Sequence, residues 1–233
     1  DTYNKTDVLK DDTIKAMCLH ISHDCNMSCM YCFASGGDFN TKEKLLMSFD
    51  TAKTAVDLLI NNSANHRNLE VDFFGGEPLM NFEVVRQTVE YAESLEEKFN
   101  KKFRFTITTN AMLLNDEIMD FVNAHMSNIV LSIDGRKEVQ DRARHTLNEK
   151  GTYDIVMPNI MNAVKRRKDA DYFVRGTFTS ENLDFSEDVK HLADLGCKNL
   201  SVEPVVALDG MDYAIRPEHL DQIFKEYDKL TEL

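Results

Sequence analysis

"HDCNMSCMYCF", residues 23–33, places three cysteines inside eight positions, spaced Cys25-x-x-x-Cys29-x-x-Cys32. A structural zinc site closes on four protein ligands, so a tight group of three either borrows a distant fourth donor or leaves one coordination position open. Zinc, with Cys18, His20 or His23 as the fourth ligand, is one reading. Against it, Cys18 falls inside an apolar run expected to be a buried strand, and no second Cys or His pair follows at finger-like distance. The other reading puts three thiolates on a [4Fe–4S] cluster, whose fourth iron is then free to take a small molecule.

Around this loop, short apolar runs alternate with amphipathic segments. The runs cover 15–22, 69–74, 103–109, 128–133, 172–179 and 199–206; helical periodicity covers 49–62, 81–99, 115–126, 152–168, 186–195 and 217–231. Six strand–helix units predict an α/β fold of parallel strands with right-handed crossovers, either a doubly wound sheet or a partial barrel. Ser48 and Asn115 precede helices as N-caps, and Pro217 stands in the first turn of the last one. The unusual polar elements all follow strand ends: the cysteine loop, "GGEP" (75–78), "TNA" (109–111), "SIDG" (132–135) and "VEPV" (202–205). In a parallel α/β fold those ends share one face, where ligands bind.

With 233 residues and 42% hydrophobic content the chain can bury one sizeable core, and a single domain over 1–233 is expected. A formal net charge of −13 argues against duplex nucleic acid as a partner, and the basic run 165–168 reads as a solvated helix end. No stretch approaches the roughly 18 apolar residues of a membrane span. Five cysteines, three of them clustered, suggest metal or redox chemistry in a reducing compartment, with the cytoplasm expected. The opening "DTYNK" lacks an initiating Met, so an excerpt of a longer protein is expected.

"GGEP" alone fits a tight turn with a surface Glu, but glycines also let backbone approach a ligand, and Glu77 offers an acceptor for an ammonium group. Cys-x-x-x-Cys-x-x-Cys followed, 50 residues after its first cysteine, by Gly-Gly-Glu-Pro resembles the radical S-adenosylmethionine (SAM) enzymes. The resemblance implies a partial (β/α)6 barrel of TIM type spanning nearly the whole chain. It also implies a [4Fe–4S] cluster on Cys25, Cys29 and Cys32, with SAM chelating the open iron. Gly75, Gly76 and Glu77 would hold the methionyl amine, and Tyr31 would lie near adenine. Ser132 and Arg144 would bind the carboxylate and ribose region, the backbone of Val205 would meet adenine, and Asn110 is carried over from the same pattern.

"CLHISHDCN", "YCFASGGDF", "FFGGEPLMNF" and "GTYD" are further similar to the SPASM-type peptide maturases, in particular the SCIFF peptide thioether maturases. This implies Cys-to-Thr thioether formation in a ribosomally made precursor peptide, initiated by a 5′-deoxyadenosyl radical. The electron donor would be a ferredoxin or flavodoxin. Formylglycine formation or epimerisation, and a zinc-stabilised binding module, are the alternatives. The chain departs from those maturases in lacking the cysteines of a SPASM domain, since only Cys197 follows Cys32. Arg175 and Thr179 on the fifth run have no assigned role.

Overall fold

The computed structural model describes residues 13–168, 171–208 and 210–232; the opening "DTYNK" lies outside them. Among the described residues the strands are β1 (Ala16–His23), β2 (Met27–Cys29), β3 (Leu45–Leu46), β4 (Asn68–Gly75), β5 (Lys102–Thr109), β6 (Asn128–Ser132), β7 (Arg144–Thr146), β8 (Asp171–Phe178) and β9 (Leu200–Pro204). The helices are α1 (Phe49–Asn61), α2 (Phe82–Phe99), α3 (Asp116–His125), α4 (Lys137–Ala143), α5 (Tyr153–Arg167), α6 (Phe185–Asp194) and α7 (Leu220–Leu230).

The main sheet runs β3-β1-β4-β5-β6-β8-β9, parallel throughout except for β3. Each parallel strand neighbours the next one in the chain, the order of a sheet curling into a partial (β/α)6 barrel. A separate two-stranded ladder joins β2 to β7.

Alternation along the strands fixes which face meets the helices. Leu69, Val71 and Phe73 of β4, Phe103, Phe105 and Ile107 of β5, and Ile129 and Leu131 of β6 are buried, and all belong to one continuous core with Ala52, Val56, Val85 and Val89 of the helices. The intervening residues, among them Asp72, Arg104, Phe173 and Arg175, point to the concave side and stay exposed or half-exposed. That overturns the expectation for Cys18: it lies in β1 as predicted, but between Met17 and the buried Leu19 it faces the open side and is exposed. Parallel sheets are usually covered on both faces; among the described residues only one is covered here.

The predicted caps form: Ser48 Oγ accepts the Thr51 N–H at 3.2 Å, and Asn115 Oδ1 accepts that of Ile118 at 3.0 Å. The fourth unit is longer than the periodicity shows. After β6 the chain forms α4 and β7 before α5, and this insertion supplies the partner of the cysteine loop. Among the described residues no helix is long and apolar enough to cross a membrane.

Candidate functional site

Beyond β1 the chain turns at Asp24, whose Oδ1 accepts the Cys25 N–H at 2.8 Å. The β2–β7 ladder then sets Cys29 opposite Arg144. A following turn, closed by the Cys32 N–H on the Cys29 carbonyl at 3.1 Å, brings Cys32 round, and the Gly36 N–H donates to Cys32 Sγ at 3.3 Å. The loop interlocks with the turn after β4: Gly76 N–H donates to the Ser22 carbonyl at 2.8 Å, and Glu77 N–H to that of Asp24 at 2.9 Å. A Cβ on Gly76 would stand 2.2 Å from the Asp24 carbonyl oxygen, and one on Gly37 would stand 2.8 Å from the Asp24 carbonyl carbon. Glycine is therefore required at both positions for the two backbones to approach.

Cys25, Cys29 and Cys32 line one cavity of about 510 Å³ at the carboxyl ends of the strands. Tyr31, Gly75, Gly76, Asn110, Ser132, Arg144 and Val205 share it, with Arg144 beside Cys29 and Tyr31. The Val205 N–H is already bound to the Phe178 carbonyl at 2.8 Å, which fixes this segment as it leaves β9. Arg175 and Glu203 also line the wall, whereas Thr179 is buried and bonds to Asn182.

A mononuclear site needs its donors to converge on one ion. Among the described residues no three His, Cys, Asp or Glu side chains do so, and His20 and His23 pack against Phe39 instead. Cluster ligands each take a different iron, which suits three thiols spread around a cavity with a glycine cradle. Burial pushes the Cys25 thiol up to about 12, and burial also raises Cys29, opposed by the Arg144 guanidinium. Both thiols must therefore give up protons when metal binds.

Glu77 departs from the expectation of an open acceptor. It is fully buried and is not part of the cavity wall. Oε1 accepts the Leu79 N–H at 2.9 Å and the Thr109 hydroxyl at 2.8 Å, and Oε2 accepts the Asn110 N–H at 2.8 Å. The carboxylate thus ties the end of β4 to the end of β5. Burial lifts it to about 7 despite these three donors.

Asp134 lies in the "SIDG" segment just beyond β6. It is 1% exposed and accepts from Tyr31 Oη at 2.5 Å, from Arg144 Nε and Nη2 at 3.1 and 3.0 Å, and from the Thr177 N–H at 3.0 Å. Arg144 also lies over the Tyr31 ring, 5.4 Å from its centroid. Burial would lower the Arg144 guanidinium, but Asp134 and Tyr31 hold it well above its usual value. It is a buried, bidentate pair rather than the surface ion pair that base rates suggest. The only sequence signal for Asp134 was its place directly after a strand.

The sequence matches the 4Fe-4S single cluster domain over residues 15–157. The chain belongs to that family. It is related to radical SAM enzymes, including the anaerobic sulfatase-maturating enzymes. It is 30% identical over 198 residues to the uncharacterized protein MJ0907 of Methanocaldococcus jannaschii, covering 82% of this chain and 63% of that protein. It is 28% identical over 142 residues to the cysteine-type anaerobic sulfatase-maturating enzyme of Clostridium novyi, covering 60% of this chain and 37% of the enzyme. The fold matches that of native anSMEcpe with bound AdoMet and Cp18Cys peptide, with a TM-score of 0.81 and 19% identity over 93% of this chain and 59% of that one. The chain thus spans less than two thirds of the length of these relatives.

Proposed function

We propose that this chain is the radical SAM core of an enzyme that modifies a ribosomally made peptide, with Cys-to-Thr thioether cross-linking as the bond formed. The observation that carries the reading is the convergence of Cys25, Cys29 and Cys32 with Gly75, Gly76, Ser132 and Arg144 on one cavity. These segments are far apart in sequence and meet only through the barrel. A related fold solved with AdoMet and a peptide supports both the cofactor and the substrate class.

Bound in this cavity, a reduced [4Fe–4S] cluster and SAM would supply the one-electron chemistry that starts hydrogen abstraction. The chain's own residues bind and orient. Cys25, Cys29 and Cys32 would hold the cluster, and backbone at Gly75 and Gly76 lies open to the SAM amine. Arg144 presents a fixed positive charge to a carboxylate, because Asp134 and the Tyr31 ring hold its orientation. Ser132 stands on the same wall, and backbone at Val205 is set for adenine by its bond to Phe178. Apolar Phe33, Phe74 and Val206 line the cavity, with Phe33 and Val206 themselves largely exposed to solvent.

The sulfatase-maturating relative favours a second reading, oxidation of a peptide cysteine to formylglycine. Mass spectrometry of a cysteine- and threonine-containing peptide, incubated with the reconstituted protein, SAM and reductant, separates the two. A two-hydrogen loss that resists thiol reductants supports the thioether. Loss of the cysteine sulfur supports formylglycine and rejects it.

A further inference from the structure

Asn26 Nδ2 is one of two buried side-chain polar atoms without a hydrogen-bond partner among the described residues. An orphaned buried donor is costly, so native structures rarely keep one without a reason. The amide orientations follow from the neighbouring bonds. Met112 N–H donates to Asn110 Oδ1 at 3.0 Å, so Asn110 must turn its Nδ2 to the other side. There it lies 2.8 Å from Asn26 Oδ1 and 3.7 Å from Cys25 Sγ. Asn26 thereby has its oxygen committed to Asn110, with Cys25 Sγ a further 4.0 Å contact of that oxygen, and its amide nitrogen is left without a partner. Asn110 in turn is held by its own N–H on Glu77 Oε2 at 2.8 Å.

We propose that Asn26 and Asn110 form an amide pair that donates hydrogen bonds to cluster sulfur, Asn110 to the Cys25 thiolate and Asn26 through its unpartnered nitrogen to a neighbouring cluster sulfur, and that Glu77 is a positioning residue acting through Asn110 rather than the receptor for the SAM amine. This rests on the cluster reading above. Hydrogen bonds to cluster sulfur stabilise the reduced, more negative state and raise the reduction potential, while outer-shell partners govern ligand orientation. The bonded chain from Glu77 through Asn110 to Asn26 gives each donor a fixed direction. It also accounts for the burial of Glu77 away from the cavity.

The test compares the full chain with Asn26→Leu, Asn26→Asp and Glu77→Gln. Cluster midpoint potential is read by EPR-monitored titration, SAM affinity by equilibrium dialysis, and melting temperature on the metal-free proteins. Asn26→Leu is expected to shift the potential to more negative values, and because it also removes the acceptor of Asn110 Nδ2 the metal-free form should melt a few degrees below the parent, whereas Asn26→Asp keeps that acceptor. Failure of Asn26→Asp to retain iron with an unchanged melting temperature also supports the proposal. Asn26→Asp places an anion beside the sulfur and should shift the potential further. Glu77→Gln should move it in the same direction with SAM affinity within about threefold. A full cluster at the parent's potential in Asn26→Leu would overturn the donor role, and a lowered melting temperature alongside it would assign Asn26 to packing. A tenfold or larger loss of SAM affinity in Glu77→Gln at unchanged potential would restore Glu77 as the amine receptor. A parent chain that takes up no iron would instead defeat the cluster reading itself.

Discussion

At and just beyond the ends of β4 and β5 the polar groups Glu77, Thr109 and Asn110 are buried and bonded to one another, whereas Arg175 of β8 and Glu203 of β9 stand half in solvent. Glu77 is fully buried and accepts three hydrogen bonds, while Arg175 and Glu203 pair with 47% of each side chain exposed. Beyond β9, Val206 and Leu208 are 91% and 75% exposed. The two sides of the cavity thus do different work. Fixed polar networks suit a ligand set that never changes, and open, mixed surface suits a larger substrate that arrives and leaves.

The comparison breaks most severely at the cysteines. Cys29→Ala should abolish iron binding and brown colour, because the loop supplies three thiols and Cys197 is buried elsewhere in the core. Iron and sulfide analysis after anaerobic reconstitution checks this. A retained four-iron cluster would remove Cys29 from the ligand set.

Next comes the interlock of the cysteine loop with the glycine turn. Gly76→Ala forces a methyl against Asp24 backbone and should cost about 1–3 kcal/mol in chemical denaturation while impairing cluster loading. Gly36→Ala meets nothing within 4 Å, although its φ of +76° is unfavourable for alanine, and should cost only about 1 kcal/mol. Equal effects would show that the loop does not depend on the close approach.

Glu77→Gln replaces an acceptor by a partial donor facing two backbone N–H groups, and should destabilise the metal-free protein by about 1–3 kcal/mol at acidic to neutral pH. The pH dependence carries a definite sign. Burial raises Glu77 from 4.5 to about 7, so the folded state binds the proton more tightly than the unfolded chain. Its contribution to stability is therefore greatest below about 4.5, falls as pH rises towards 7, and is level above; the span is about 3 kcal/mol. Glu77→Gln should flatten that slope, as thermal melts across the range would show.

The smallest effect lies on the open side. Arg175→Gln should change stability by less than about 0.5 kcal/mol, because an exposed ion pair contributes little, and should leave SAM affinity unchanged. A marked fall in either quantity would mean that β8 belongs to the cofactor side.

The same division separates what the sequence discloses from what it conceals. Period-two alternation such as Leu69-Val71-Phe73 and capped helices such as the one after Ser48 locate the strand–helix units, because those signals are local. The cysteine spacing and "GGEP" are local as well. Arg144 reaches the site through a three-residue ladder to Cys29, and strands that short leave no periodicity to read. Asp134 acquires its role from Tyr31, Arg144 and Thr177, which come from three different segments. Cys18 was misread because a parallel strand is ordinarily buried on both faces, and the concave face here is open. The direction of the Glu77 side chain depends on Thr109 and Asn110 of another strand and could not follow from its motif.

The central claim is that the three-cysteine loop alone holds an iron–sulfur cluster whose remaining coordination position SAM takes. Anaerobic reconstitution with iron and sulfide, followed by EPR of the reduced protein with and without SAM, tests it most directly. The account predicts a brown protein with about four irons per chain, a reduced-cluster signal that changes on adding SAM, and release of 5′-deoxyadenosine. A colourless protein that binds one zinc, or a cluster whose signal is indifferent to SAM, would contradict it.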